Sequence, residues 1–319
     1  MTIFRREKTY MFGRRPDGKV LKNIDPMIAI TPYLMPMRCD AQVMLDLKAD
    51  YEKLARYITA KGAEGHKITF TELVIAAFVR VIAELPEVNR FIANKRIYAR
   101  TELAVSFALL KDTGDPDTIE ENTVKAKFNP TDTIFDVSEK IKSMIAENRR
   151  EEADNLTIKL TRLLLNPYLA KTIVAIAKFL DRYGILPKFL MDALPFYTSM
   201  FLTNMASIGM PAVKHHIYNF GTTSLFISIG AVERSVVPGP DGKPVRKRML
   251  PFGIVADERI CAGAVYAKMV ARFNELMNNP ALLEEVPQNV RFEEDNVYDA
   301  NGKVKKHKVK KVSDSAVSA

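Results

Sequence analysis

The sequence predicts an α+β fold rather than a doubly wound one, and three observations carry that expectation. Strand-like and helix-like segments interleave without a regular strand–helix–strand alternation. One long antiparallel hairpin dominates the C-terminal third: "TSLFISIGAVERSVV", the turn "PGPDGKP", and the return "RKRMLPFGIVAD". No internal repeat is present. A chain of 319 residues, 47% of them hydrophobic, suits one large or two small domains with a substantial core.

The elements follow in order. Residues 1–29 are basic and turn-rich, with Arg14-Arg15-Pro16-Asp17-Gly18 a turn signal, and are expected to form an arm laid over a neighbour or over the body. "AQVMLDL" (41–47) alternates loosely and reads as a strand. "DYEKLARYITAKG" carries Leu54, Tyr57 and Ile58 on one face and ends at Gly62, a helix with a C-terminal glycine. Thr69 precedes Glu72 by three, a capping box, and "ELVIAAFVRVIAEL" behind it is apolar almost all round, so this helix is buried. "NKRIYARTELAVSFALL" holds two strands around a turn near Arg100–Glu102, "DTGDPDTIEEN" is an exposed acidic loop, and "TVKAKF" is another strand. Thr133 and Asp136 open an amphipathic helix running to about Arg150, and residues 156–196 are helical with proline punctuation. "TSMFLTNM" and "HHIYNF" read as strands ahead of the hairpin, and "AGAVYAKMVARFNELMNNPALLEE" is a terminal helix.

Charge is unevenly placed. The formal net charge is +9, and Lys303, Lys305, Lys306, Lys308, Lys310 and Lys311 stand near the C-terminus against Asp314 alone. Five of the nine charges therefore fall in the last twenty residues, within a Lys-rich tail set at 291–319 and expected to be flexible, and the 30–290 body is only mildly basic. No nucleic-acid partner is expected of that body. Cys39 and Cys261 make no disulfide framework, and "MTIFRREKTYMF" lacks a secretory apolar region, so a cytoplasmic protein is expected. "ILPKFLMDALPFYTSMFLTNMASIGM" is broken by Lys188, Asp192 and two prolines, so no transmembrane segment is expected.

Three stretches carry a family resemblance: "KITFTELVIAAFVRVIAELPEVNRFI", "NMASIGMPAVKHHIYNFGTTSLFISIGAVE" and "MLPFGIVADERICAGAVYAKMVARFNELMNNPALL". From about Ile30 to Glu285 the chain resembles the catalytic domain of the dihydrolipoyl acyltransferases of 2-oxo acid dehydrogenase complexes, whose fold chloramphenicol acetyltransferase shares. The resemblance implies a two-layer domain with a mixed sheet, a coenzyme A thioester as substrate, a homotrimer with its channel between subunits, and 2-oxo acid dehydrogenase components or a lipoyl carrier as partners. It also implies that the apolar "SLFISIG" and "FYTSMFL" strands help line the trimer interface. No lipoyl-bearing or subunit-binding segment is evident, so the domain is expected to stand alone.

The family's corner reads Asp-His-Arg, two apolar residues, then Asp-Gly-Ala. In "DERICAGA", Asp257, Arg259, Gly263 and Ala264 match it. Glu258 stands at the histidine position and Ala262 at the second aspartate. Ala206, followed by Ser207, stands where the family places its oxyanion-binding hydroxyl. Acyl transfer needs a base for the acceptor, a donor for the tetrahedral oxyanion, and exclusion of water. Histidine titrates near neutrality and a glutamate at about 4.3, so Glu258 is a base only if burial raises it. Otherwise it is a structural carboxylate paired with a basic residue.

His215 and His216 are the obvious substitutes. As strand neighbours they face opposite sides, so at most one reaches a channel and they do not chelate one metal. Ser207, Tyr218, Thr222 and Thr223 are candidate oxyanion donors, and Arg14, Arg15 and Lys214 candidate contacts for coenzyme A phosphates. Asp257 and Arg259 are expected to anchor the corner, with Gly263 letting the helix start close to the strand. Cys261 reads as a buried thiol rather than a nucleophile. No zinc spacing, phosphate-cradling glycine loop or serine elbow occurs, so no metal is expected. Three functional readings stand: an acyltransferase with an altered catalytic set, a non-catalytic trimeric scaffold, and an acidic-membrane or nucleic-acid binder acting through the tail and the 156–196 stretch.

Overall fold

The computed structural model of the chain describes residues 14–111, 120–150, 165–239 and 241–293, with two short strands at 296–298 and 304–306. The 112–119 part of the acidic loop, the start of the 156–196 stretch, the Arg14 side chain and the Lys308–Lys311 end of the tail lie outside the described residues. In chain order come β1 (Arg14–Arg15), β2 (Gly18–Val20), α1 (Pro26–Leu34), β3 (Gln42–Asp50), α2 (Tyr51–Ala63) and α3 (Phe70–Glu84). Then follow β4 (Arg90–Ala93), β5 (Arg96–Arg100), β6 (Leu103–Lys111), β7 (Glu120–Phe128), α4 (Ile134–Arg150), α5 (Pro167–Arg182) and α6 (Lys188–Ala193). The remainder is β8 (Met200–Asn204), β9 (Leu225–Ile229), β10 (Glu233–Pro238), β11 (Pro244–Asp257), α7 (Gly263–Asn278), β12 (Asn296–Tyr298) and β13 (Val304–Lys306).

The larger sheet runs β3–β11–β9–β8–β6–β7, with β10 continuing the line of β9 along β11. It is mixed, because β8 lies parallel to both β6 and β9 while the other pairs are antiparallel. Residue alternation sorts the two faces. Leu225, Ile227 and Ile229 of β9, with Phe252, Ile254 and Ala256 of β11, join α3 and α7 in the main core. The expected capping box starts α3: Glu72 N donates to Thr69 Oγ1 (3.2 Å) and Thr69 N to the Glu72 carboxylate (2.7 Å). Behind it Leu73, Ile75, Phe78, Val79 and Ile82 are fully buried, so helix on sheet makes the two layers.

The opposite face is covered by an irregular segment, and here one expectation fails. "HHIYNF" is not a strand: residues 210–218 hold no regular structure. They cross the sheet face instead. Val213 N donates to Ser228 Oγ (2.9 Å), Ser228 Oγ to Val213 O (2.5 Å), and Ala231 N to Met210 O (2.8 Å). Two glycines make the approach feasible. A Cβ on Gly230 would sit 2.1 Å from Ala212 N, and one on Gly253 would sit 2.3 Å from Val213 O. Ile217 then packs with Phe226 and Val255, the opposite-facing neighbours of the core residues. The single strand read through "TSLFISIGAVERSVV" is also two, β9 and β10, broken around Gly230.

The apolar β8 and β9 strands lie inside the sheet, and Met200, Leu202, Leu225, Phe226, Ile227 and Ile229 are already buried within the single chain. Glu102, itself buried, meets Lys125, Lys127 and Lys188, and Asp192 of α6 meets the same lysines, which pins α6 to β7. Burial pulls the Lys125 ammonium down to about 8 against the opposing attraction of Glu102 and Asp192.

Ordered contacts with the body begin before residue 30 and continue past 290. β1–β2 adds to β5 and β4 in a four-stranded sheet, and Arg15 is buried against Asp17 (2.9 Å) and Asp181 (2.7 Å). Arg291 N donates to Ala83 O, and Arg90 pairs with Glu293 (2.6 Å). Within the tail, β12 and β13 pair only with each other. An isolated two-stranded hairpin contributes little stability. Deleting residues 301–319 is therefore expected to leave the melting temperature of the body unchanged within about 2 °C, roughly what ±0.5 kcal/mol gives a domain of this size. A clear drop in a thermal melt would show that the tail is docked.

Candidate functional site

The corner after β11 is built around Asp257, which is 0% exposed. Its carboxylate accepts from Arg259 Nε (2.8 Å) and Nη2 (2.7 Å) in a two-pronged pair, and from Arg38 Nε (3.3 Å). Other guanidinium hydrogens go to backbone: Arg259 Nη1 donates to Met35 O, and Arg38 donates to the carbonyls of Tyr218 and Gly221. Tyr266 Oη donates to Asp257 O (2.7 Å), tying the first turns of α7 to the strand end. Asp257 and Arg259 thus anchor the corner as expected. Arg38 was not legible, since its pair spans 219 positions and no local pattern marks it.

Glu258, expected as a buried base or as a structural partner, is neither buried nor paired within the described residues of the single chain. Its N–H donates to Ala41 O (2.9 Å), while its side chain is exposed and makes no hydrogen bond or ion pair among the described residues. Asp257 holds the pairing expected of it. Gly263 also needs correction. Its backbone is not left-handed, and a Cβ there would meet nothing within 4 Å, so close helix–strand approach does not require glycine. Ala262 is the N-cap of α7, in extended geometry (φ −67°, ψ 152°), with no side chain to receive a helix amide.

His215 and His216 are not strand neighbours facing apart. Their rings stack on each other at 4.6 Å, and His215 also stacks on Phe226 at 4.4 Å. His215 Nδ1 is 2.7 Å from the His216 carbonyl oxygen. The pair is thus a ring stack on the sheet face opposite α3. Thr222 and Thr223 are already engaged: Thr222 Oγ1 accepts from Arg100 (3.0 Å) and donates to Asp17 (3.3 Å), and Thr223 Oγ1 donates to Phe196 O (2.8 Å). Tyr218 is exposed, edge-on to Phe196. Arg15 is buried in its ion pairs and Lys214 is paired with Asp46 (2.5 Å), so Arg15 is closed to a phosphate.

Ser207 sits in a single helical turn, Met205–Ile208, at the end of β8, and its Oγ donates to Asn204 O (2.6 Å). Beside it opens a cavity of about 310 Å³ between the start of α3, β6 and α4. Phe107, Leu109, Ile141 and Ile145 supply its apolar wall, and Thr71 and Asn204 its polar groups. Asn204 Nδ2 donates to Thr71 Oγ1 (3.2 Å), which leaves Asn204 Oδ1 buried without a partner. No residue of the 257–259 corner lines this cavity. In one chain the Ser207 segment and the corner therefore do not meet.

Cys261 is buried, and burial pushes its thiol up to about 12. Cys39 is exposed. Iodoacetamide at pH 8 is expected to modify one thiol per folded chain, at Cys39, and both after denaturation; rapid labelling of Cys261 in the folded state would contradict this. Among the described residues no helix is long and apolar enough to cross a membrane, and no cluster of three or more His, Cys, Asp or Glu is placed to hold a metal.

No family model and no curated protein matches the sequence. Solved structures do resemble the fold. A probable dihydrolipoamide acetyltransferase from Listeria monocytogenes 4b F2365 superposes with a TM-score of 0.51 at 15% identity, covering 81% of this chain and 93% of that one. The dihydrolipoamide acetyltransferase of Azotobacter vinelandii, in which the catalytic roles of a serine, a histidine and an asparagine have been investigated, gives a TM-score of 0.50 at 15% identity, with coverage of 89% and 99%. The chain thus shares its overall fold with dihydrolipoamide acetyltransferases, as the resemblance implied.

Proposed function

We propose that the protein binds acyl thioesters of coenzyme A on an acyltransferase fold and does not run the standard transfer to a dihydrolipoyl acceptor. One observation carries this reading. At the corner the only buried carboxylate, Asp257, is committed to Arg259 and Arg38, and the side chain at the histidine position, Glu258, is exposed and unpartnered. A proton acceptor must be held against its substrate, and no side chain of the chain orients Glu258 among the described residues. Ala206 and Ala262 supply neither the hydroxyl nor the carboxylate that accompanies the base in the resembled family.

Binding is supported by the cavity at Ser207, whose apolar wall and few polar groups suit a small acyl chain ending in a carbonyl. A second reading, a non-catalytic homotrimeric scaffold, is supported by the hairpin arm. Beyond the sheet, β10 pairs with β11 alone, and its Val236 is 65% exposed, a surface that a second copy would cover. Under either reading, a lipoyl carrier or 2-oxo acid dehydrogenase components are the partners the resemblance points to, and the cytoplasm the compartment.

Titration calorimetry with acetyl-CoA, free coenzyme A and a longer acyl-CoA tests the binding. A saturable heat that depends on the acyl group supports the first reading, and no binding by well-folded protein leaves the scaffold. Sedimentation at micromolar concentration is expected to give a trimer, and a stable monomer would sink the assembly under both readings.

A further inference from the structure

The helix α5 has no buried residue along its 16 positions. Ala170, Ile173, Ala177 and Leu180, spaced i, i+3, i+7, i+10, turn towards the body and are half-buried. Tyr168, Leu169, Ile176, Phe179 and Tyr183 form the adjoining strip and face solvent, with Tyr168 84% and Phe179 58% exposed. Lys171, Lys178 and Arg182 form a strip along its other border. The helix's one acid, Asp181, is taken by Arg15 (2.7 Å), and neither Lys171 nor Lys178 has an ion-pair partner among the described residues. Past the helix the exposed apolar residues continue with Ile185 and Phe189.

A second exposed apolar element reaches the same place. Arg182 Nε donates to Asn94 Oδ1 (3.2 Å), and the next residue, Lys95, stands over the ring of Tyr33 in α1 at 5.2 Å. The uncharged helix α1 leaves Met27, Ile30, Tyr33 and Leu34 exposed. Two helices with bare apolar faces therefore meet one turn, and the charges around it, Lys95, Arg182, Lys178 and Lys171, have one sign.

We propose that α5, with α1 across the Asn94–Lys95 turn, is a docking surface for an anionic phospholipid bilayer. Aromatic and branched aliphatic side chains beside a basic strip, on a helix of modest overall hydrophobicity, are what an interface-lying helix needs. A two-fold contact with a second copy through this face would press like charges together at a desolvated rim, and the head-to-tail contact of a trimer is separated by the variants below. The proposal is independent of the acyl-thioester reading.

Vesicle flotation of the full chain tests it, with phosphatidylcholine alone and with about one third phosphatidylglycerol, at 0.1 M salt. Binding to the anionic vesicles only, weakened at higher salt, is expected. Lys171→Gln with Lys178→Gln should lower the partition coefficient about twenty-five-fold, at roughly fivefold for each basic residue near such a surface. Ile176→Ser with Phe179→Ser should remove at least as much, while circular dichroism confirms an unchanged fold. A third variant separates the tail: Gln at Lys303, Lys305, Lys306, Lys308, Lys310 and Lys311 should leave binding at the α5 surface measurable. Three results would each overturn the proposal: no association with anionic vesicles, binding lost with the tail lysines but indifferent to the α5 variants, or α5 variants that change only the oligomeric state.

Discussion

Given acetyl-CoA and dihydrolipoamide, the purified protein is expected to transfer acetyl groups slower by several orders of magnitude than an acyltransferase with an intact corner. General-base catalysis contributes about two to four orders of magnitude, and an oxyanion donor about two to three. Glu258, exposed and unpartnered, and Ala206, without a hydroxyl, supply neither. The losses need not add, because groups acting on one transition state are coupled. The combined variant Glu258→His, Ala262→Asp, Ala206→Ser is expected to raise residual transfer by at least about tenfold, a small part of what those terms can supply. Its aspartate would gain a second role as N-cap of α7, worth about 1 kcal/mol. Stopped-time assays of thioester exchange read the outcome. Brisk transfer by the unmodified protein, lost in Glu258→Gln, would make Glu258 a working base. Loss in a His215 or His216 variant instead would move the base to the stacked pair.

The second large effect is on stability. Asp257→Ala is expected to cost about 3–5 kcal/mol in urea unfolding, because it leaves Arg259 and Arg38 buried without their counter-charge. Both guanidinium groups keep their backbone acceptors, so the loss reports the charge rather than a collapse of every hydrogen bond at the corner. Glu258→Gln, one residue away, is expected to stay within about 0.5 kcal/mol of the parent, as an exposed substitution does. Equal effects at the two positions would mean that the corner is not held by Asp257.

The two neighbouring carboxylates show where reading the sequence stops. In "DERICAGA" both acids adjoin an arginine, and nothing local says which of them turns inward. The register of β11 between β3 and β9 decides it. Asp257 falls on the face of Gly253 and Val255, where Arg38 arrives from 219 positions away, and Glu258 leaves the strand towards solvent. The histidines follow the same logic. A hexamer rich in aromatic and branched residues is compatible with a strand, but a strand needs a free ladder edge. β11 already pairs with β3 and β9, and β9 with β8, so the segment lies across the face instead. There it stacks His215 on Phe226, the arrangement that Gly230 and Gly253 make room for.

By itself the sequence determined what depends on neighbours in the chain. The capping box and all-round apolar character placed α3 in the core, the turn "PGPDGKP" joined β10 to β11, and Thr133 with Asp136 opened α4. Tertiary structure alone decided which side chains meet. It tied Arg15 to Asp181, drew Thr222 into the Arg100–Asp17 network, and opened the cavity at Ser207 away from the corner. Such pairings join residues tens to hundreds of positions apart, and their energy comes from desolvating both partners together, a term that no local pattern encodes.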